Sequence, residues 1–60
     1  MNRIKEIRQE KKISQKKTAN KANMSERYFQ DVERNKSVPT VYKAIEIAKA
    51  LDTTVEALFQ

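Results

Sequence analysis

The sequence predicts an all-α fold of five short helices in one small domain spanning residues 1–60. Three observations predict it. Apolar residues recur at three- and four-residue spacings and never alternate with period two, so helices are expected and strands are not. Ser, Thr or Asn stands just ahead of each apolar stripe, where a helix needs a cap. Asparagine, aspartate or proline then interrupts the stripes, where a helix must stop. A chain this short buries only about 60% of its unfolded surface, so its stability is marginal.

Asn2 is placed to cap a first helix over residues 2–12, with Ile4 and Ile7 inward and Arg3, Lys5, Arg8, Lys11 and Lys12 making the rest basic. Ile13 is a lone apolar residue in the connector. Ser14 caps a second helix over 15–22, and Asn23 tolerates the left-handed conformation that ends it. Ser25 caps a third helix over 26–34, and Asn35 is its stop. Pro39 forbids a continuous helix through the loop that follows. Thr40 caps a fourth helix over 41–51, whose apolar spacing Val41, Ala44, Ile45, Ala48, Leu51 fits a helical period. Thr53-x-x-Glu56 has the form of a capping box opening a last helix over 54–59.

The core expected from these stripes is Ile4, Ile7, Ile13, Ala19, Ala22, Met24, Phe29, Val32, Val41, Ala44, Ile45, Ala48, Leu51, Val55 and Leu58. The chain has no glycine. Asn23, Asn35 and Asp52 stand where glycine would be easiest, and each is expected to carry some backbone strain.

Composition narrows the chemistry. Without cysteine there is no disulfide and no thiolate ligand; without histidine the commonest general base and metal ligand is missing. No glycine-rich phosphate loop is present, and the carboxylates sit mostly among lysines. An enzyme is not expected, and neither is a cofactor, a metal or a small-molecule substrate. Apolar runs are too short to span a membrane, and the charged N-terminus lacks a signal-peptide core. A soluble cytoplasmic protein is the expectation. Net charge is +5, unevenly spread: residues 1–36 hold eleven Lys/Arg against five Asp/Glu, which gives +6, and residues 37–60 come to −1. A one-sided basic domain suits a polyanionic partner, although a solvated lysine-rich surface would look the same.

The basic end coincides with the stretch 15–36, where two helical patterns meet at the turn Ala22-Asn23-Met24-Ser25. Two helices crossing steeply over such a turn form a helix-turn-helix unit. Close crossing needs a small residue, which Ala19 supplies. With Phe29 and Val32 inward, steps of about 100° send Arg27, Gln30, Asp31 and Arg34 outward, with Glu26 and Tyr28 at the exposed N-terminal end. Such side chains can read base edges in a major groove.

Here the chain resembles the Cro / lambda-repressor-like (Xre-like) helix-turn-helix domain over nearly its whole length. The matching residues are Asn2-Arg3-Ile4-Lys5-x-Ile7-Arg8, Ile13-Ser14-Gln15, Ala19, Met24-Ser25 and Val32-Glu33. Asn35-Lys36, Pro39-Thr40, Ile47-Ala48-Lys49-Ala50-Leu51 and Leu58-Phe59 complete them. The resemblance implies a five-helix domain that puts its third helix in the major groove of double-stranded DNA, as a homodimer on a two-fold operator. It implies base contacts from Glu26, Arg27, Tyr28 and Asp31, with Arg27 foremost because arginine pairs bidentately with guanine; Gln30, turned outward by the helical period, is a further base-contact candidate. It implies phosphate contacts from Gln15, Arg34, Asn35 and Lys36, beside which Ser14, at the same helix start as Gln15, is a further candidate. It also implies an ion pair between Arg8 and Glu33, and a dimer contact through the last helix, where Phe59 is equally suited to ordinary core. The chain departs from the pattern at Thr18, Ala22 and Ala44, which are small, and at Lys12 and Asn23, which replace frequent glycines. The loop Lys36-Ser37-Val38-Pro39 lacks the arginines some relatives send toward the minor groove.

The function expected is a sequence-specific DNA-binding transcriptional regulator, a repressor. The alternative is an antitoxin-like or accessory module whose helices grip another protein; an exposed apolar patch would favour it. A cationic membrane-surface peptide fits less well, because the apolar residues suit compact packing instead of one continuous amphipathic face.

Overall fold

The computed structural model describes residues 2–59; Met1 and Gln60, the outer bounds of the expected domain, lie outside the described residues. The described chain is all-helical, with α1 Ile4–Glu10, α2 Gln15–Lys21, α3 Glu26–Glu33, α4 Val41–Ala50 and α5 Val55–Leu58. Ser14, Ser25 and Thr40 cap their helices as expected, each oxygen accepting the backbone N–H three residues on.

Both ends of α1 fall short of the 2–12 expected. Arg3 occupies the cap position without a side-chain capping bond, its guanidinium being paired with Glu6 instead, and Asn2 lies one residue outside it. Asn2 still serves the helix, since its Oδ1 accepts from the Ile4 N–H at 3.0 Å. The last helix also begins differently: Thr54, not Thr53, accepts from Ala57 N–H. Thr53 is taken by the stop of the preceding helix, where its N–H donates to the Ala48 carbonyl.

That stop is one of four alike. Lys12, Asn23, Asn35 and Asp52 have φ of 57°, 58°, 63° and 53°. After each, the next N–H reaches back five residues, from Ile13 to Arg8, Met24 to Ala19, Lys36 to Asp31 and Thr53 to Ala48, at 2.8–3.1 Å. These are Schellman stops, which satisfy the last carbonyls of a helix by way of one left-handed residue. A protein without glycine has built all four from residues carrying a Cβ.

The helices close around Phe29, Ile4, Ile47, Leu51, Leu58 and Val32, all fully buried. The Arg3 N–H donates to the Leu58 carbonyl at 2.7 Å, joining the two ends of the chain. Thr18 is fully buried where an apolar residue is usual. Its hydroxyl donates to the Ser14 carbonyl at 2.9 Å, so burial leaves no orphaned polar group.

The expected core is corrected in α4. Val41 and Ile45 lie on the surface, and Ile47 and Ala50 are buried in their place beside Ala44, Ala48 and Leu51. The cause is in the sequence: residues 41, 42, 44, 45, 47, 48, 50 and 51 are all apolar, so two stripes of helical period compete and spacing cannot choose the inner one. Ile13, Met24 and Val55 are half-buried against the core, and Phe59 packs there too.

Candidate nucleic-acid interface

The α2–α3 unit is built as its sequence requires. Thr18 and Ala19 are buried on α2 and Ala22 at its C-cap, and Phe29, Val32 and Glu33 are buried on α3. Small residues at 19 and 22 let the helices approach closely, and Asn23 turns the chain between them. Ser25 fixes where α3 begins, since its hydroxyl accepts the Tyr28 N–H at 3.1 Å. The opposite face of α3 is left to solvent.

That free face carries the base-reading candidates to different degrees. Glu26 and Arg27 are exposed, and Gln30 and Asp31 are half-exposed. The Arg27 Nε lies 3.8 Å from the Asp31 carboxylate, so Asp31 is positioned to orient the arginine. Such an exposed pair contributes little stability. Tyr28 is half-buried, with its ring packed against the core; it supports the unit as well as edging the surface.

The Arg8–Glu33 ion pair is present, with Nε at 2.8 Å and Nη2 at 3.4 Å from the two carboxylate oxygens. Arg8 Nη1 also donates to the Ile13 carbonyl at 2.9 Å, which fixes the connector between α1 and α2. Spacing alone did not reveal that the pair continues. Gln15 Nε2 donates to Glu33 Oε1 at 2.7 Å, and Gln30 Nε2 donates to Gln15 Oε1 at 3.2 Å. One chain of hydrogen bonds therefore runs Gln30, Gln15, Glu33, Arg8 and holds the start of α2 against the C-terminal half of α3. No local signal in the sequence announces it, because Gln15 and Glu33 are 18 positions apart.

The phosphate-contact candidates lie at two places. Ser14 and Gln15 are at the start of α2, beside Gln30 of α3. The Ser14 hydroxyl accepts the Lys17 N–H and keeps its own O–H to donate, and one hydrogen of the Gln15 NH2 goes to Glu33 while the second remains; the first backbone N–H groups of α2 add further donors. Arg34, Asn35 and Lys36 are exposed at the stop of α3. Sequence reasoning missed what fixes that stop. Asn2 Nδ2 donates to the Val32 carbonyl at 3.0 Å and to Asn35 Oδ1 at 2.9 Å, tying the N-terminus to the end of α3.

Beside this stop lies an apolar surface. Val38, Val41, Tyr42 and Ile45 are 93%, 77%, 67% and 39% exposed. On α4, residues 41, 42 and 45 share one stripe. A shallow groove of about 310 Å³ adjoins it, lined in part by Asn35, Val38, Pro39 and Phe59.

A helix-turn-helix family model matches residues 4–58, from the first residue of α1 to the last of α5. The chain belongs to this helix-turn-helix family. It is also 41% identical over 56 residues to the immunity repressor protein of Bacillus phage phi105. That match covers 93% of this chain and 39% of the phage protein, so the chain spans about two fifths of its relative's length. The family match embraces the whole helix-turn-helix unit together with the three helices that support it. No helix among the described residues is long and apolar enough to cross a membrane.

Proposed function

We propose that residues 1–60 form the DNA-binding domain of a sequence-specific transcriptional regulator, a cytoplasmic repressor that reads the major groove with α3. The observation that carries the reading is the two-sidedness of α3. One side is buried through Phe29, Val32 and Glu33; the other presents Glu26, Arg27, Gln30 and Asp31 on a helix held rigidly by its neighbours. Family membership and the likeness to a phage immunity repressor support the same reading. Arg27 pairs with guanine, while Asp31 orients it or accepts from a cytosine amino group, as Glu26 can. Tyr28 borders the same contact. Ser14 and Gln15 on one flank, and Arg34, Asn35 and Lys36 on the other, contact the phosphates and set the register. The reaction is binding alone, with no catalysis.

The regulator acts as a homodimer on a two-fold operator. The exposed stripe Val38, Val41, Tyr42 and Ile45 supports this, because it lies in the half of the chain with net charge −1. The stripe is the surface favoured over the last helix, whose Leu58 is buried and whose Phe59 packs on the core.

The same stripe favours a second reading, in which the domain grips a different protein. Selection of bound duplexes from a random pool at two salt concentrations separates the two. A palindromic consensus whose affinity falls steeply with salt supports the DNA reading. Recovery of random sequence, with salt-insensitive capture of protein, supports the other.

A further inference from the structure

The hydrogen-bond chain from Arg8 to Gln30 has a direction, and that direction ends on the free face of α3. Arg8 can only donate, and it donates to both oxygens of the Glu33 carboxylate. A carboxylate held in this way can only accept. The group facing it from Gln15 must therefore be the NH2, and the 2.7 Å contact is Nε2 to Oε1. The Gln15 carbonyl is then turned the other way, toward Gln30. A carbonyl can only accept, so Gln30 must also turn its NH2 inward, as the 3.2 Å contact from Gln30 Nε2 to Gln15 Oε1 records.

An amide on its own is free to present either end. Here the choice at Gln30 is made two side chains away, by a buried charge. The Gln30 Oε1 has no protein partner among the described residues, and none of their buried side-chain oxygens or nitrogens lacks one, so this oxygen reaches the surface. One hydrogen of its NH2 is used on Gln15, and the second remains.

We propose that Arg8, Glu33 and Gln15 act as a polarity relay that makes Gln30 an adenine-selective reader. The proposal rests on the reading of α3 as a major-groove helix. Adenine offers its N6 amino group as donor and N7 as acceptor, which an outward carbonyl and one remaining N–H can meet together. Guanine offers acceptors at both O6 and N7 and would face the Gln30 carbonyl with another acceptor. Gln15 and Glu33 are positioning residues in this scheme; Gln30 is the group that touches the base.

The test uses duplexes selected by the wild-type chain and by Gln30→Met. The position at which the variant loses preference is the one Gln30 reads, and the preferred base there is expected to be adenine. Replacing that adenine by purine, which lacks the N6 amino group, is expected to weaken wild-type binding roughly tenfold while leaving Gln30→Met unchanged. This measurement needs no altered protein to show its effect. Gln15→Met frees the Gln30 amide to rotate, so adenine-over-guanine discrimination should collapse at that one position and persist at the others. Loss of a phosphate clamp alone would weaken every sequence alike. A preference for any base but adenine, or a Gln15→Met variant that weakens binding without changing discrimination there, overturns the relay. A wild-type selection without consensus at any position would instead overturn the major-groove reading itself.

Discussion

The Arg8 guanidinium meets the Glu33 carboxylate at 2.8 Å, with side-chain exposures of 12% and 4%. It joins α1 to α3 across 25 residues of sequence. Burying two charges costs desolvation energy that their attraction only roughly offsets, so the pair's net contribution to stability is small. Breaking it is another matter. Arg8→Met leaves a buried carboxylate without its charge partner and is expected to cost about 3 kcal/mol. The double variant Arg8→Met with Glu33→Leu removes both charges and should regain most of that loss. Urea unfolding of the three proteins checks this; equal destabilisation of single and double variants would show that packing, not charge, decides.

Lys12 is the least suited of the four left-handed residues. Asparagine and aspartate tolerate φ near 58° through their short polar side chains, whereas lysine has no such compensation. Lys12→Gly is expected to stabilise the chain by about 1 kcal/mol by relieving the Cβ clash, less the greater entropy that glycine has when unfolded. Asn23→Gly should gain less. Thermal midpoints of the two variants decide the order, and an unchanged or lowered midpoint for Lys12→Gly would mean that the left-handed geometry carries no strain there.

These stops were legible in the sequence because they depend on local chemistry. Asn23, Asn35 and Asp52 are residues that accept positive φ, and each follows an apolar stripe. Cap residues were legible for the same reason at Ser14, Ser25 and Thr40. The failures have physical causes too. Val41 and Ile45 were misplaced because α4 is apolar on two faces, and only the shape of the remaining core chooses between them. Thr54 displaced Thr53 because the N–H of Thr53 was already claimed by the α4 stop. On the candidate interface, the identity of the α3 face followed from Phe29 and Val32. The bonds of Gln15 to Glu33 and of Asn2 to Asn35 did not, since they join residues 18 and 33 positions apart. No local pattern encodes such pairs.

Tyr42 is the one aromatic ring of the exposed stripe and is 67% exposed, with Ile45 three residues on along α4. Its burial against a second copy would contribute much of a small interface, since aromatic rings supply large area at low entropic cost. Four side chains cover far less than the ~800 Å² per partner of a standard interface, so the dimer should be weak until DNA holds both copies. Tyr42→Glu is expected to leave the thermal midpoint nearly unchanged while abolishing cooperative binding to an operator with two half-sites. Binding to a single half-site should be unaffected. Sedimentation and gel-shift titration report both, and undiminished cooperativity would place the dimer contact elsewhere.

The proposed reading gives Arg27 the role of reader and Lys36 that of clamp. Arg27 lies on the free face of α3, 85% exposed and in a long 3.8 Å contact with Asp31, and so is available to a guanine edge. Lys36 sits beyond the α3 stop, where its backbone N–H is fixed on the Asp31 carbonyl at 2.8 Å and its side chain is exposed. Arg27→Ala is expected to cost ~1–3 kcal/mol on the selected operator and to relax preference at one base pair. Its affinity for random duplex should fall only as far as the loss of one positive charge requires. Lys36→Ala should weaken binding to all sequences alike, and the slope of log affinity against log salt should become shallower by about 1. Titrations of both variants on operator and random duplex, each at several salt concentrations, check the division. Equal losses on the two duplexes for Arg27→Ala would move the reading role to another residue of α3.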